Sequence, residues 1–176
     1  MYKQMISKIF IIVSLLLSFH QANAQDSTLQ KTKPYIFGIG CGAGFATGYG
    51  LSFRYVPNKF GAQVNFAPYK DTETERYSIG VTFLYTVIAS QITNLYIYQA
   101  NHYYYNSQTT YVYNPNVPDQ QEKIRSTESY VNNGVGFGIE IIMAKRIGLN
   151  LMTGYAFYNN FKQLNVTGEV ALYYKF

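Results

Sequence analysis

The chain is short, rich in aromatic residues and poor in charge. Its 176 residues include 19 Tyr and 12 Phe, only 13% are charged, and the net charge is +5. This composition excludes a disordered chain and differs from that of a soluble domain with a charged surface, so we expect one folded domain of another kind. Because the Lys and Arg residues do not cluster, nucleic acid is not an expected partner. Cys41 is the single cysteine, which excludes an internal disulfide.

The first 24 residues have the order of features that is typical of a secretory signal peptide. Two lysines precede an apolar run over 9–19, and small residues close the segment at Ala22 and Ala24. The alternative is an uncleaved anchor helix, but the apolar run is shorter than the roughly 20 residues that such a helix needs. We therefore predict export and cleavage after Ala24, followed by a short periplasmic segment over 25–34.

Beyond residue 34 the apolar residues occupy every second position, which is the period of a β-strand and not of a helix. The clearest segment is 77–87, where Tyr, Ile, Val and Phe alternate with Ser, Gly and Thr. The same alternation marks 131–141 and 166–176. Weaker segments complete a set of eight predicted strands: 35–44, 51–56, 61–69, 93–105 and 148–158.

The composition of the less apolar face predicts where these strands reside. That face consists mostly of Gly, Ser, Thr, Asn and Ala, and its charged residues are Arg54, Glu140, Glu169 and Lys175. A soluble barrel would carry many charged side chains there. Small polar side chains fit a narrow lumen, and apolar side chains are stable against lipid. A bilayer also requires a closed barrel, because no backbone group can be left unpaired in it. We therefore predict an all-β fold over 35–176, a single closed antiparallel up-and-down transmembrane β-barrel of eight strands.

The seven predicted connections differ in length, and this predicts which side of the membrane each one faces. Six of them are short, including a first turn over 46–50, whereas 106–127 is long and polar. An even number of strands leaves both termini on one side, which is the periplasm once the N-terminus is freed by cleavage. The segment 106–127 is then a long extracellular loop, and we expect an unknown partner outside the cell to meet it.

Both ends of the mature chain resemble those of a known family. The opening strand is rich in glycine over 37–44, and Val170, Leu172, Tyr174 and Phe176 place apolar and aromatic residues at alternate positions up to the last residue. With the signal peptide, these segments resemble the small eight-stranded barrels of OmpA and OmpX type, in the outer-membrane β-barrel family of Gram-negative bacteria. The resemblance implies outer-membrane location, contact with its lipid, and insertion by the barrel-assembly machinery, which reads the C-terminal residues as a signal.

The resemblance fixes no activity, because this fold hosts adhesins, anchors, narrow pores and some lipid-modifying enzymes. An eight-stranded interior is only wide enough for side chains to fill, which favours a structural or surface-interaction barrel over a narrow pore for water, ions or small solutes. The resemblance to lipid-modifying barrels implies an enzyme only if His102 acts with Ser107 and an acidic residue. The simpler interpretation places His102 in an aromatic girdle at the interface. We predict no enzyme, no cofactor and no metal.

The charged residues of the predicted lumen face form the last expectation. Arg54 and Glu140 each precede a periplasmic turn on strands that lie opposite each other, so we predict that they meet, with Glu169 sharing the guanidinium of Arg54. A charge without a partner in so narrow a space is costly. The alternative is that barrel stagger separates the residues and that water in the lumen solvates each charge.

Overall fold

The structure is a computed structural model that describes residues 35–113 and 121–176. It consists of eight antiparallel strands in a closed barrel, in which each strand pairs with its neighbours in the chain and the last pairs with the first. The predicted all-β fold, a single closed antiparallel up-and-down barrel of eight strands, is confirmed. The predicted signal peptide, its cleavage site at Ala22 and Ala24, and the segment 25–34 lie outside the described residues. Within the described part, no helix is long and apolar enough to cross a membrane.

The strands differ widely in length, from eight to 23 residues. Their bounds are β1 (Phe37–Gly44), β2 (Gly48–Tyr55), β3 (Phe60–Lys70), β4 (Thr74–Ala89), β5 (Thr93–Tyr113), β6 (Gln121–Met143), β7 (Ile147–Tyr158) and β8 (Gln163–Lys175). We call the end of the barrel where Phe37 and Phe176 exchange backbone hydrogen bonds the terminal end. The opposite end, from which β5 and β6 extend, is the hairpin end.

The barrel interior is mostly polar, apart from a small apolar cluster that includes Leu84 and Met152, and the outer surface is apolar, the reverse of a soluble protein. Large apolar side chains such as Phe60, which is 72% exposed, cover the outer surface, whereas Gln63 and Asn65 on the same strand are fully buried inside. This follows from the period of two, since successive side chains of a strand point to opposite faces. Gln99 and Asn101 interrupt the apolar outer surface, and their amides hydrogen-bond to each other (3.0 and 3.1 Å).

Tyrosine rings occupy much of the lumen. Tyr96 and Tyr173 are buried inside the barrel, and glycines on neighbouring strands make room for them. A Cβ atom at Gly138 would lie 2.2 Å from the Tyr96 ring, and one at Gly38 would lie 3.5 Å from the Tyr173 ring. These two glycines therefore accommodate aromatic rings.

The predicted polar loop over 106–127 is wrong in its bounds. β5 continues to Tyr113 and β6 begins at Gln121, and the two strands pair without interruption from Thr93↔Ile141 to Tyr113↔Gln121. In this part of β5 and β6 the residues of both faces are polar, so the alternation that identifies a strand in a sequence is missing. The backbone hydrogen bonds between the strands do not depend on that alternation. The connection is a tall hairpin, the β5–β6 hairpin, in which only 114–120 fall outside the described residues.

The first connection is predicted as a short turn over 46–50 that faces the outside of the cell, and its course differs from that prediction. Residues 45–47 join β1 to β2 and fold into the lumen, where the side chains of Ala46 and Thr47 are buried. We call these three residues the inward turn. β1 and β2 contain eight residues each, fewer than the 9–11 that a transmembrane strand uses, so both end inside the barrel.

Candidate functional site

Arg54 lies in the terminal half of the lumen and is only 4% exposed. Its Nη1 atom lies 3.3 Å from Glu140 Oε1, and its Nε and Nη2 atoms donate to Gln63 Oε1 at 3.2 and 2.6 Å. The guanidinium also covers the Tyr173 ring, with Cζ 4.5 Å from the ring centroid. The structure thus brings together Arg54 and Glu140 from β2 and β6, on opposite sides of the barrel.

The carboxylate of Glu140 is shared between two cations. Its Oε2 atom accepts hydrogen bonds from Lys175 Nζ at 2.8 Å and from Asn94 Nδ2 at 2.7 Å, while Oε1 faces Arg54. The sequence places Lys175 on the lumen face but does not reveal this contact, because it depends on how β8 aligns with β6, from which β7 separates it. Glu140 is therefore the centre of the charge cluster.

Glu169 is part of the lumen, but the prediction that it shares the guanidinium of Arg54 is wrong. Gln63 stands opposite Arg54 in the register of β2 with β3 and separates the two charged groups. Its Nε2 atom donates to Glu169 Oε1 at 2.9 Å, and Asn65 and Asn150 donate to the same carboxylate, each at 3.2 Å. Glu169 accepts hydrogen bonds from three amides, and Gln63 bridges it to Arg54.

The charged residues buried in the described lumen are balanced. Arg54 and Lys175 contribute two positive charges, and Glu140 and Glu169 contribute two negative ones. Below the cluster, a cavity of about 400 Å³ faces the terminal end. A neutral, hydrogen-bonded cluster of long side chains and tyrosine rings thus occupies this part of the lumen without leaving an uncompensated charge.

The inward turn closes the lumen at a second level, nearer the hairpin end. The carbonyl oxygen of Phe45 faces His102 Nδ1 at 3.0 Å and accepts from Asn132 Nδ2 at 3.1 Å, and that of Thr47 accepts from Asn65 Nδ2 at 2.9 Å. The inward turn can approach β4 closely because β4 has a glycine, without a side chain, at the position that the turn contacts. A Cβ atom at Gly80 would lie 1.7 Å from the Thr47 carbonyl oxygen.

His102 belongs to the lumen, so the prediction that places it in an interfacial girdle is wrong. It shares the inward face of β5 with Tyr96 and Tyr98, and its Nε2 atom lies 3.0 Å from Ser78 Oγ. Ser107 lies further along the same strand and accepts from Arg125 Nε at 2.7 Å. The sequence-predicted pair of His102 and Ser107 is therefore not formed.

The pair that does form, Ser78 and His102, lacks the further features of a hydrolytic site. The second ring nitrogen of His102 faces the carbonyl of Phe45, where a catalytic triad would place a carboxylate. Ser78 is fully buried, which closes its hydroxyl to a substrate. Among the described residues, no group of three or more His, Cys, Asp and Glu side chains is arranged to hold a metal ion.

Above the inward turn, a cavity of about 800 Å³ opens toward the hairpin end. Its inner wall is aromatic, with His102, Tyr49, Tyr104 and Tyr130 in one cluster, and the Tyr104 and Tyr130 rings stack at a centroid distance of 4.9 Å. Amide side chains, including Asn165, complete the lining. No Lys, Arg, Asp or Glu of the described chain lines this cavity, which we call the outer cavity.

The barrel wall is interrupted beside the outer cavity. β1 pairs with β8 only as far as Gly44↔Glu169, although β8 begins at Gln163. β2 likewise pairs with β3 only as far as Leu51↔Phe66, although β3 continues to Lys70. At the hairpin end the wall therefore lacks two strands, and we call this interval between β8 and β3 the side opening.

At the base of the β5–β6 hairpin, ionic contacts join it to β4. Glu75 Oε2 lies 3.4 Å from Arg125 Nη2, Glu75 Oε1 lies 3.7 Å from Lys70 Nζ, and the Tyr77 hydroxyl donates to Glu75 at 2.5 Å. Above this level β5 and β6 pair only with each other, since β4 ends at Thr74↔Gln108. The upper hairpin projects from the barrel.

The C-terminal residues of the predicted assembly signal share one face. Val170, Leu172, Tyr174 and Phe176 are all exposed on the outer surface. Phe176 packs near Phe37, with ring centroids 5.9 Å apart, where the last strand closes the barrel.

No protein-family model matches the chain, and no curated protein sequence matches it. Similar solved structures include the N-terminal β-barrel domain of Pseudomonas aeruginosa OprF, with 12% identity and a TM-score of 0.46. Neisserial surface protein A has 14% identity and a TM-score of 0.44, and Ail, the attachment invasion locus protein of Yersinia pestis, has 14% and 0.40. Each alignment covers 80% of this chain and 94% or 95% of the other. The barrel described above rests on this chain's own strand pairing.

Proposed function

We propose that the chain is an outer-membrane β-barrel with a structural or surface-interaction role, exported by its N-terminal signal peptide. The observation that carries the proposal is the reversed polarity of the barrel, with phenylalanine, leucine and isoleucine outside and a hydrogen-bonded polar interior. Such a surface is stable against lipid, and a closed barrel leaves no backbone edge unpaired across most of its wall. The partners on the outer surface are then the lipids of the membrane.

The closure of the lumen favours this role over the alternative of a narrow pore. The cluster around Glu140 closes the terminal half, and the inward turn closes the hairpin half. An ion would have to disrupt a balanced set of buried charges and then displace a backbone segment. Both steps are costly in a space of low dielectric constant.

The β5–β6 hairpin supports the surface-interaction part of the proposal. β5 and β6 contain 21 and 23 residues, about twice what a membrane crossing uses. At the usual rise per residue, the additional part of each strand extends roughly 30 Å beyond the membrane. Its partner is a molecule outside the cell.

Protease treatment of intact cells and conductance measurements test the two parts separately. A protease should cut within the hairpin, between Asn106 and Thr127, and should spare the short turn at 57–59 at the terminal end. Purified barrel in planar bilayers should show no steady conductance. Cleavage at 57–59 alone would invert the topology, and steady ohmic channels in the unmodified protein would favour the pore.

The C-terminal residues Val170, Leu172, Tyr174 and Phe176 support a further part of the proposal, recognition by the barrel-assembly machinery. Replacing Phe176 with Ser removes the terminal ring that packs near Phe37. We expect less heat-modifiable, folded barrel in the outer membrane, measured by the gel shift between boiled and unboiled samples. Phe161→Ser in the β7–β8 turn is the matched control, and equal yields for the two variants would contradict this role.

A further inference from the structure

The outer cavity continues through the barrel wall to the outer surface. Its lining includes His102 and Asn132, which face the lumen, and also Ala43 and Val166, which lie on the outer surface of β1 and β8. The side opening joins these two environments. Because β1 and β2 are shorter than a membrane crossing, the opening lies at the level of the outer half of the bilayer.

The β3 side of the opening has a sequence that suits an unpaired edge. Thr86 N donates to Lys59 O, and Asp71 N donates to Thr74 O, both at 2.7 Å, so the odd-numbered residues of β3 hydrogen-bond to β4. The backbone N–H and C=O groups of the even-numbered residues therefore point toward β2. Beyond Phe66, the next of these is Pro68, which has no N–H group to leave unpaired.

The β8 side is satisfied by side chains. Phe176 exchanges backbone hydrogen bonds with Phe37, so the backbone groups of the even-numbered residues of β8 point toward β1. Val166 is one of these residues, but it lies beyond the point where β1 ends. The N–H group of Val166 donates to Asn165 Oδ1 at 2.8 Å, and its carbonyl accepts from the Tyr158 hydroxyl at 3.2 Å. Pro68 and the partners of Val166 thus reduce the number of unpaired backbone groups at the two edges, which matters in a lipid environment because each such group costs several kcal/mol there.

The lining of the outer cavity limits the chemistry of what it binds. Tyr49, His102, Tyr104 and Tyr130 offer aromatic faces, and the neighbouring amides offer donors and acceptors. Without a charged side chain in the lining, the cavity provides no partner for a carboxylate or phosphate. Arg76 lies at the rim, outside this lining, where its guanidinium bonds to Tyr49 and to Asn106 Oδ1, and its positive charge disfavours a cationic group in the cavity.

We infer that the outer cavity and the side opening form a binding site for a neutral amphiphile with a hydroxylated headgroup and an alkyl chain. The headgroup lies against the aromatic cluster and bonds to the amides, and the alkyl chain passes through the side opening, beside Val166, into the outer leaflet. The inference rests on the proposed membrane location. Pairing with a strand from another protein is the competing use of such an opening, but Pro68 and the Asn165 side chain reduce the backbone groups available for it.

Photolabelling in lipid nanodiscs tests the site with a defined probe, n-octyl β-glucoside carrying a diazirine at the end of its alkyl chain. Adducts should concentrate in 43–45 and 163–168 and should be rare on the outer face of β6. Excess octyl glucoside should abolish this labelling. Glucose, which lacks the chain, and octyl sulfate, which is anionic, should not compete at the same concentration.

Two adjacent tyrosines provide a matched pair of variants. Tyr104→Ala removes a ring from the cavity and should reduce labelling of 163–168 by about three- to tenfold, the usual effect of one lost aromatic contact. Tyr105→Ala makes the same change next to it, where the ring packs near Tyr77 and away from the cavity, and should leave labelling unchanged. A gel shift on heating shows that both variants are folded.

Several results would overturn the inference. Adducts spread evenly around the outer surface would indicate a membrane barrel without a site, a result that leaves the proposed function intact. Equal competition by octyl sulfate would show that the site does not select a neutral headgroup. Unchanged labelling in Tyr104→Ala would remove the aromatic cluster from the site, and crosslinks between two copies through 163–168 would assign the opening to strand pairing.

Discussion

The two halves of the lumen are closed by different means. In the terminal half, side chains fill the space, and the cluster around Glu140 joins three strands through ion pairs. In the hairpin half, the backbone of the inward turn crosses the lumen and is held by side-chain amides and by His102. The side-chain cluster requires balanced charge, whereas the inward turn requires a glycine on β4 at the point of contact.

The second solution also changes the barrel wall. Because residues 45–47 enter the lumen, β1 and β2 end early, and the side opening appears where they would have continued. Side chains can fill a narrow barrel without altering its strands. A backbone segment that enters the lumen instead removes residues from the strands of the wall. One half is therefore filled largely by side chains, and the other contains the outer cavity beside the side opening.

The largest expected effect concerns the terminal half. Glu140→Ala leaves both Arg54 and Lys175 without their carboxylate, and removing one member of a buried ion pair costs about 3–5 kcal/mol. Arg54→Ala should cost less, because Glu140 retains Lys175. Urea unfolding of the barrel in lipid vesicles gives both free energies.

The double variant Arg54→Ala with Glu140→Ala determines whether the two residues are coupled. We expect it to cost less than the sum of the single variants, since neither charge then remains alone. Glu75→Ala is a control at an ion pair on the exposed base of the hairpin and should change stability little. If the two single costs simply add, water solvates each charge, and the side-chain plug loses its main support.

The next effect concerns the hairpin half. Gly80→Ala introduces a methyl group where the Thr47 carbonyl lies, so the inward turn must move, at a cost of about 1–3 kcal/mol. His102 should then lose its contact with Phe45, which the imidazole signals in NMR spectra would report. The charge cluster should remain intact, and the variant should still not conduct.

Gly38→Ala is the matched control for Gly80→Ala. Gly38 also faces the lumen, but a methyl group there makes ordinary contact with Tyr173 at 3.5 Å. Its stability and its His102 signals should match those of the unmodified protein. Similar losses in both variants would mean that the barrel tolerates no added methyl group inside, and would not support a specific role for the inward turn.

The features that depend on the period of two could be predicted from the sequence. Alternation in 77–87 and 131–141 identifies strands, and the same parity places Arg54 and Glu140 inside the barrel. The alternation disappears where both faces are polar. Beyond the end of β4, the residues of β5 and β6 are mostly polar or charged at successive positions, so their sequence is typical of a loop although they continue to pair.

Contacts that depend on register could not be predicted. Ser78 meets His102 because β4 and β5 pair Gly80 with His102, and no local pattern specifies that offset. The direction of the inward turn is set by Gly80, which lies far along the chain from residues 45–47. Lys175 reaches Glu140 from a strand that is not its neighbour in the barrel. Such contacts follow from the closed barrel and not from any single segment.

The smallest expected effect concerns the edge of the side opening. Asn165→Ala removes the acceptor of the Val166 N–H group, which then has no strand beside it, at a cost of about 1 kcal/mol. Amide hydrogen exchange at Val166 should accelerate by about fivefold, as that free energy implies. Asn165→Asp keeps the accepting oxygen and should preserve the slow exchange. If Val166 exchanges at the same rate in all three proteins, the N–H group is protected by something other than Asn165, and the opening at this level is narrower than the strand pairing indicates.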